Sequence, residues 1–318
     1  MDISVPQEYD DIFQEPKKIQ EDISVTICIA AICLGGSALI GASDRMVTAG
    51  DIQFEPPQPK IMPITSSIVV LIAGDSATQT EILYKLRADV DRRIEEEPHN
   101  WWRVSDVAEL YRQYYNKARL KSAEDNILAP LGLDRNVFIS RQHELSNELI
   151  KLLATELLNH EISPVETIFA GIDTEGLHIY VARDGKITCQ DTVGFASIGA
   201  GHWHADSQFM FSGHTKDMPL PETLLLTYSA KKRAEVAPGV GSDTDMFMIG
   251  TQLGSYRMIY PSIIKDLQEI YERRQQRDKE SSAKAKNEVN QYVEEIARAA
   301  TIQEQAIPQD SGGNEATD

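Results

Sequence analysis

The sequence predicts an α+β domain in which two antiparallel sheets pack face to face between layers of helices, a four-layer αββα sandwich. Three observations carry this. Apolar runs come in pairs joined by tight turn signals, Gly35-Gly36, Asp173-Thr174-Glu175-Gly176 and Asp184-Gly185, which make hairpins. The helical patterns are inserted between sets of hairpins rather than alternating with single strands, which argues against a parallel sheet. The runs are also apolar on both faces, as strands covered on both sides must be.

The first strand is read over Ile23–Leu34. Alternation puts Thr26, Cys28, Ala30 and Ile32 on one face and Ile27, Ile29, Ala31 and Cys33 on the other. After Gly35-Gly36, Ala38–Ser43 forms the second strand and ends at Asp44-Arg45. Thr48-Ala49-Gly50 makes a bend, and Pro56, Pro57 and Pro59 stiffen the passage to Lys60. Ile68–Ala73 is a buried strand. Asp75 or Ser76 then caps a helix with apolar positions Ile82, Leu83, Leu86, Val90 and Ile94, ended by Pro98. A second helix opens at Ser105 or Asp106, boxed with Glu109, and Leu145, Leu149, Leu152, Leu153 and Leu157 mark a third. Strands follow at Thr167–Ile172, Leu177–Arg183, Ile187–Gln190 and Gly194–Ile198, then a short helical stretch to Met210. Pro221–Ala237 is helical and Asp245–Ile249 is a strand. From Ser262 the pattern is a long charged helix with a polar gap. This divides the chain into an extension over residues 1–23, a sandwich domain over 24–260 with a helical insert at 127–164, and a C-terminal helix and polar tail over 261–318.

The chain has 318 residues, with 31 Lys and Arg against 49 Asp and Glu and a net charge of −18. That balance excludes a nucleic-acid-binding surface. Three cysteines cannot all pair within one chain, which suits a reducing, cytoplasmic setting. The apolar run Val25–Ala42 is not a membrane span, because an acidic flank precedes it and Gly35-Gly36 breaks it. No membrane partner and no cofactor are expected. His202-Trp203-His204 with Asp206 lacks a converging ligand set. Trp101, Trp102, Tyr111, Tyr114 and Tyr115 are helix-packing aromatics, and Cys33 and Cys189 are core.

The chemistry gathers in the first fifty residues of the domain. A hydroxyl (Thr26), a cation (Lys60) and a carboxylate (Asp44) form a complete set for nucleophilic catalysis. Alone, each has a plain role: a strand residue, a surface charge and a turn residue.

Their spacing resembles that of the β-type subunits of the 20S proteasome and related bacterial proteases, within the N-terminal-nucleophile hydrolases. The motifs are Thr26, Gly35-Gly36, Ser43-Asp44-Arg45, Thr48-Ala49-Gly50, Lys60 and Ala73-Gly74, with Lys60 ten residues past Gly50 and Gly74 fourteen past Lys60. The spacings from Asp44 to Gly74 need no gaps, and the first hairpin carries about two extra residues. Residues 24–120 and 165–250 follow the family's order of elements.

The resemblance implies a threonine-type peptidase. Thr26 would attack, its freed α-amine would take the proton, Lys60 would lower the hydroxyl's pKa, Asp44 would hold Lys60, and the Gly74 N–H would stabilise the oxyanion. Thr48 and Gly74 would hold a peptide as an added strand, with Val47 and Ile72 lining a pocket for a small or apolar side chain. A peptide or unfolded-protein substrate, a homo-oligomeric ring and an ATP-dependent unfoldase are the implied partners. The sequence departs from the family at Val25, where a glycine precedes the nucleophile, and at Ala200, where a serine lies between two glycines. It departs again at Ala237 and Val240-Gly241-Ser242, where Ser242 and Asp243 are the candidate replacements. A non-catalytic structural subunit, and an amidohydrolase of small amides, are the alternatives these departures leave.

Overall fold

The computed structural model describes residues 26–49, 52–57 and 59–305. The extension and the end of the tail lie outside the described residues. So do Val25, Gly50 and the side chain of Thr48.

Two five-stranded antiparallel sheets form the body. The first contains β1 (Cys28–Cys33), β2 (Ala38–Ser43), β10 (Phe195–Ile198), β11 (Asp245–Ile249) and β12 (Arg257–Met258), in the order β10-β1-β2-β11-β12. The second contains β5 (Ile61–Pro63), β6 (Ile68–Gly74), β7 (Val165–Asp173), β8 (Gly176–Arg183) and β9 (Lys186–Cys189), in that order. A small hairpin, β3 (Val47–Ala49) with β4 (Ile52–Phe54), stands apart from both sheets and pairs Val47 with Phe54.

The two-residue period of a strand sorts the core. Cys28, Ala30 and Ile32 of β1 meet Val69, Leu71, Ala73, Ile168 and Ile179 of the other sheet, so this face is the inter-sheet core. Ile27, Ile29 and Ala31 turn to the opposite side, against α5 (His202–Phe211) and α6 (Leu220–Ala234) through Ala205, Phe209 and Ala230. On β6, Ile68 and Val70 face α1 (Ser76–Glu96) and α2 (Val104–Ala123) through Leu86, Val107 and Tyr111. Each sheet is therefore covered on both faces, as the two-sided apolar runs required. Removing a Leu, Ile or Val side chain from water contributes roughly 1.5–3 kcal/mol each.

Most elements begin and end where turn chemistry places them. Asp75 caps α1, accepting the Thr78 N–H at 2.8 Å. For α2 the expected pairing of Ser105 or Asp106 with Glu109 is not the cap. The helix begins at Val104, and its N–H donates to the Asp173 carboxylate at 2.9 Å, while Glu109 pairs with Arg112. A carboxylate from a distant strand end thus replaces a local one, which no window of sequence displays. The insert contains α3 (Arg135–Ser140) and α4 (Asn147–Asn159), closed around Leu128, Phe138 and Leu153. Cys189, expected in the core, is exposed because β9 is the sheet's edge strand.

Between β6, β7 and the helices, three buried polar groups close a ring. Tyr111 donates to Gln79 at 3.1 Å, Gln79 to Thr167 at 3.0 Å, and Thr167 to Tyr111 at 3.0 Å. Burial pushes the Tyr111 hydroxyl up to about 12, so it stays a donor. Tyr111→Phe leaves the Gln79 carbonyl without that donor in a site sealed from water. A loss of about 1–3 kcal/mol is expected in chemical denaturation, at unchanged slope.

By compactness the chain falls into two units, one ending at Ile264 and one beginning at Lys265. The second is the body of α7 (Pro261–Gln305), on which Val289, Tyr292, Val293 and Ile296 are exposed. The polar gap does not interrupt this helix. It contains no glycine and no proline beyond Pro261, and Gln268–Glu272 and Gln276–Glu280 bridge successive turns at 2.8 Å. Among the described residues no helix is long and apolar enough to cross a membrane.

Candidate active site

Thr26 lies immediately ahead of β1 and is 2% exposed. The β1–β2 hairpin pairs Cys28 with Ser43, which brings the residue after β2, Asp44, abreast of Ile27. Two hydrogen bonds lock that position. The Asp44 N–H donates to the Ile27 carbonyl and the Ile27 N–H donates to Asp44 Oδ1, each at 3.1 Å.

The Asp44 side chain is fully buried, and its two oxygens accept four donors. Oδ1 receives the Ile27 N–H and Lys60 Nζ, the latter at 2.9 Å. Oδ2 receives the Gly241 N–H at 2.9 Å and the Met46 N–H at 3.2 Å. Four donors suit an ionised, acceptor-only carboxylate. Lys60 arrives from the other sheet, just ahead of β5, with its side chain 12% exposed. Its ammonium also touches Thr26 Oγ1 directly. Thr26, Asp44 and Lys60 therefore converge from three separate stretches of chain, at one end of the seam between the sheets.

A second wall comes from the turn after β10. Gly199 adopts φ +90°, and a Cβ there would lie 2.4 Å from the Thr26 carbonyl oxygen, so only glycine admits this approach. The Gly201 N–H donates to that carbonyl at 3.3 Å. Glu166 of β7 secures the turn, accepting the Gly199 N–H at 2.7 Å while pairing with Arg183 at 2.5 Å. On the other flank Arg45 grips Asp245 of β11 through two bonds of 2.8 and 2.6 Å. Sequence reading passed over Glu166 and over the pairing of Arg45 with Asp245, because these act through backbone or through partners far away in the chain.

The remaining sequence candidates are placed as follows. Gly74 ends β6 at φ +103°, where a Cβ would lie 2.3 Å from the Pro164 carbonyl oxygen. Ile72 offers its carbonyl to the Cys28 thiol at 3.4 Å, while its side chain packs toward the α1–α2 cluster. Val47 and Thr48 lie on β3, directly after the Asp44–Met46 turn. The Ser242 hydroxyl donates to Glu55 at 3.3 Å and the Asp243 N–H donates to Glu55 at 3.1 Å.

Cys28 sits two residues from Thr26 on the same face, but burial raises its thiol well above the usual range. It is an inert neighbour rather than a competing nucleophile. His202 turns to the Gly199 carbonyl at 2.7 Å and Asp206 accepts the Ser197 hydroxyl at 2.6 Å, so the two serve the turn beside Thr26. An open hollow of about 340 Å³ lies at the opposite end of β1, beside Gly35, Gly36, His214 and Lys216, away from this cluster.

The arrangement has the parts for activating a hydroxyl. An ammonium in contact with Thr26 Oγ1 stabilises the alkoxide, and the buried carboxylate prevents the ammonium from swinging away. No family model matches this chain, and no curated protein does.

Proposed function

We propose that this chain is a threonine-type peptidase, with Thr26 as nucleophile, Lys60 as the cation that activates it and Asp44 as the group that holds Lys60. The observation that carries the reading is the convergence of Thr26 Oγ1, Lys60 Nζ and the buried Asp44 carboxylate. Lys60 spans two acceptors at once with only 12% of its side chain exposed. The oxygen of Thr26 attacks the scissile carbonyl, and the freed Thr26 amine takes the hydroxyl proton and passes it to the leaving amine. Water then hydrolyses the ester on Thr26. The Gly74 N–H, at the end of the strand across the seam, is the proposed oxyanion donor.

The reading requires the bond between Val25 and Thr26 to be cut, because an acylated nitrogen takes no proton. A homo-oligomeric ring, an unfoldase partner and a cytoplasmic setting belong to the same proposal. Val25 and Ala200 favour one competing reading, a non-catalytic subunit of such an assembly.

The test is a panel of fluorogenic peptides, with apolar, acidic and basic residues before the cleaved bond, run beside simple aryl amides. Hydrolysis of peptides, strongest after small or apolar residues, is expected. Turnover of the aryl amides alone would replace the peptidase with a small-amide hydrolase, and no turnover of either would favour the structural subunit.

A further inference from the structure

The Thr26 centre is supported from below by a residue that touches none of its reacting atoms. Lys231, on α6, is 0% exposed, an unusual place for an ammonium. Its Nζ donates to the Gly241 carbonyl at 2.9 Å, the Ser242 carbonyl at 2.8 Å and Glu235 at 2.6 Å. Three acceptors match its three protons. Gly241 in turn donates its N–H to Asp44 Oδ2 at 2.9 Å. One residue therefore spans the distance between a buried lysine and the buried aspartate, its carbonyl facing the first and its N–H the second.

The rest of α6 shows why the lysine sits there. A Cβ at Gly201 would lie 2.8 Å from Ala234 Cβ on α6 and 3.2 Å from Val240 Cγ2, so the turn at Gly201 packs directly against both the helix and the turn that holds Gly241. Those turns supply the Gly201 N–H to Thr26 and the Gly241 N–H to Asp44. The first turn is fastened by Glu166 and the second by Lys231.

We propose that Lys231 is a positioning residue for the hydrolytic centre: by holding the Gly241 and Ser242 carbonyls it aims the Gly241 N–H at Asp44, which sets the Asp44 carboxylate and hence Lys60 against Thr26. This rests on the peptidase reading of the site. Burial draws the Lys231 ammonium below its ordinary value, and Glu235 and, more weakly, Asp44 oppose that. Glu235 compensates the charge, and the two carbonyls give it direction.

The experiment compares three variants of the full chain with wild type. Lys231→Met removes the cation and leaves Glu235, 21% exposed, its pair with Lys232 at 2.7 Å, and Lys231→Met with Glu235→Leu removes both members of the pair. Glu235→Gln keeps the lysine and its two carbonyls. Peptide hydrolysis by both methionine variants is expected to fall about 10- to 100-fold in kcat, with KM within about twofold, as for a reacting group moved by a fraction of an ångström. Glu235→Gln is expected to retain kcat within about twofold. Amide exchange followed by mass spectrometry is expected to speed up at residues 239–243 in the methionine variants alone. Unchanged kcat in a folded methionine variant, or unchanged exchange at Gly241, would overturn the proposal. A wild-type chain that hydrolyses nothing would overturn the peptidase reading and the catalytic part with it. The exchange comparison would then decide by itself whether Lys231 holds the turn.

Discussion

Thr26→Ala is expected to abolish peptide hydrolysis while leaving the fold intact. The substitution removes the hydroxyl that Lys60 touches at the seam, the only one it contacts among the described residues, so the proposed nucleophile is lost. A loss of at least about 10³-fold in kcat/KM corresponds to roughly 4 kcal/mol of transition-state stabilisation. The stability change should be small by comparison. One contact to a charged donor is lost, worth about 1.5–3 kcal/mol, and Lys60 keeps its bond to Asp44 at 2.9 Å. Thr26→Ser is the informative partner, because it preserves the oxygen and deletes only a methyl group. It should retain measurable activity. Undiminished hydrolysis by Thr26→Ala would remove Thr26 from the mechanism, and Cys28 would not inherit the role, since burial keeps its thiol protonated.

Asp44→Asn is expected to damage both activity and stability. The carboxylate is fully buried and accepts from Ile27, Met46, Lys60 and Gly241. An amide of the same shape has one oxygen, so its NH₂ must face at least one donor. Breaking a buried ion pair by neutralising one partner costs about 3–5 kcal/mol. For a domain of this size that is roughly 6–20 °C in Tm. Activity should fall by at least about 10²-fold, because Lys60 would lose the charge that holds it beside Thr26. A variant with wild-type Tm and wild-type kcat would show that the four-donor cage carries neither burden. The two variants separate the roles: Thr26→Ala loses chemistry with little change in fold, and Asp44→Asn loses both.

The readable parts of this molecule are those whose cause is local. Ala38–Ser43 and Asp245–Ile249 are strands at the residues expected, because turn signals bracket them on both sides. The face assignment along β1 follows from alternation alone, which groups Thr26 with Cys28, Ala30 and Ile32, and the structure shows the last three in the inter-sheet core. Thr26, Asp44 and Lys60 stood out because a hydroxyl, a carboxylate and a cation make a chemically complete set and their spacing carries the family resemblance.

The parts that escaped depend on long-range partners. The short strands β3, β4 and β5 have three residues each, too few for a period to show. The α2 cap is Asp173, 69 positions away from Val104. Gly241 engages Asp44 across 197 positions, and nothing in the loop's own composition marks its N–H as a donor to the centre. Lys231 looks like any lysine near the end of an amphipathic helix, since its partners are backbone carbonyls. Ser242, a candidate replacement in this loop, gives its hydroxyl to Glu55 at the end of the small hairpin, a partner 187 positions away.

The most direct test of the account is the intact mass of the purified chain together with N-terminal sequencing, made on the same preparation used for peptide hydrolysis. Thr26 is expected as the first residue of the active species, because only then does its nitrogen take the hydroxyl proton. A preparation that hydrolyses peptides with Val25 still joined to Thr26 would contradict the assigned base. A preparation that retains Val25 and hydrolyses nothing would contradict the assigned function.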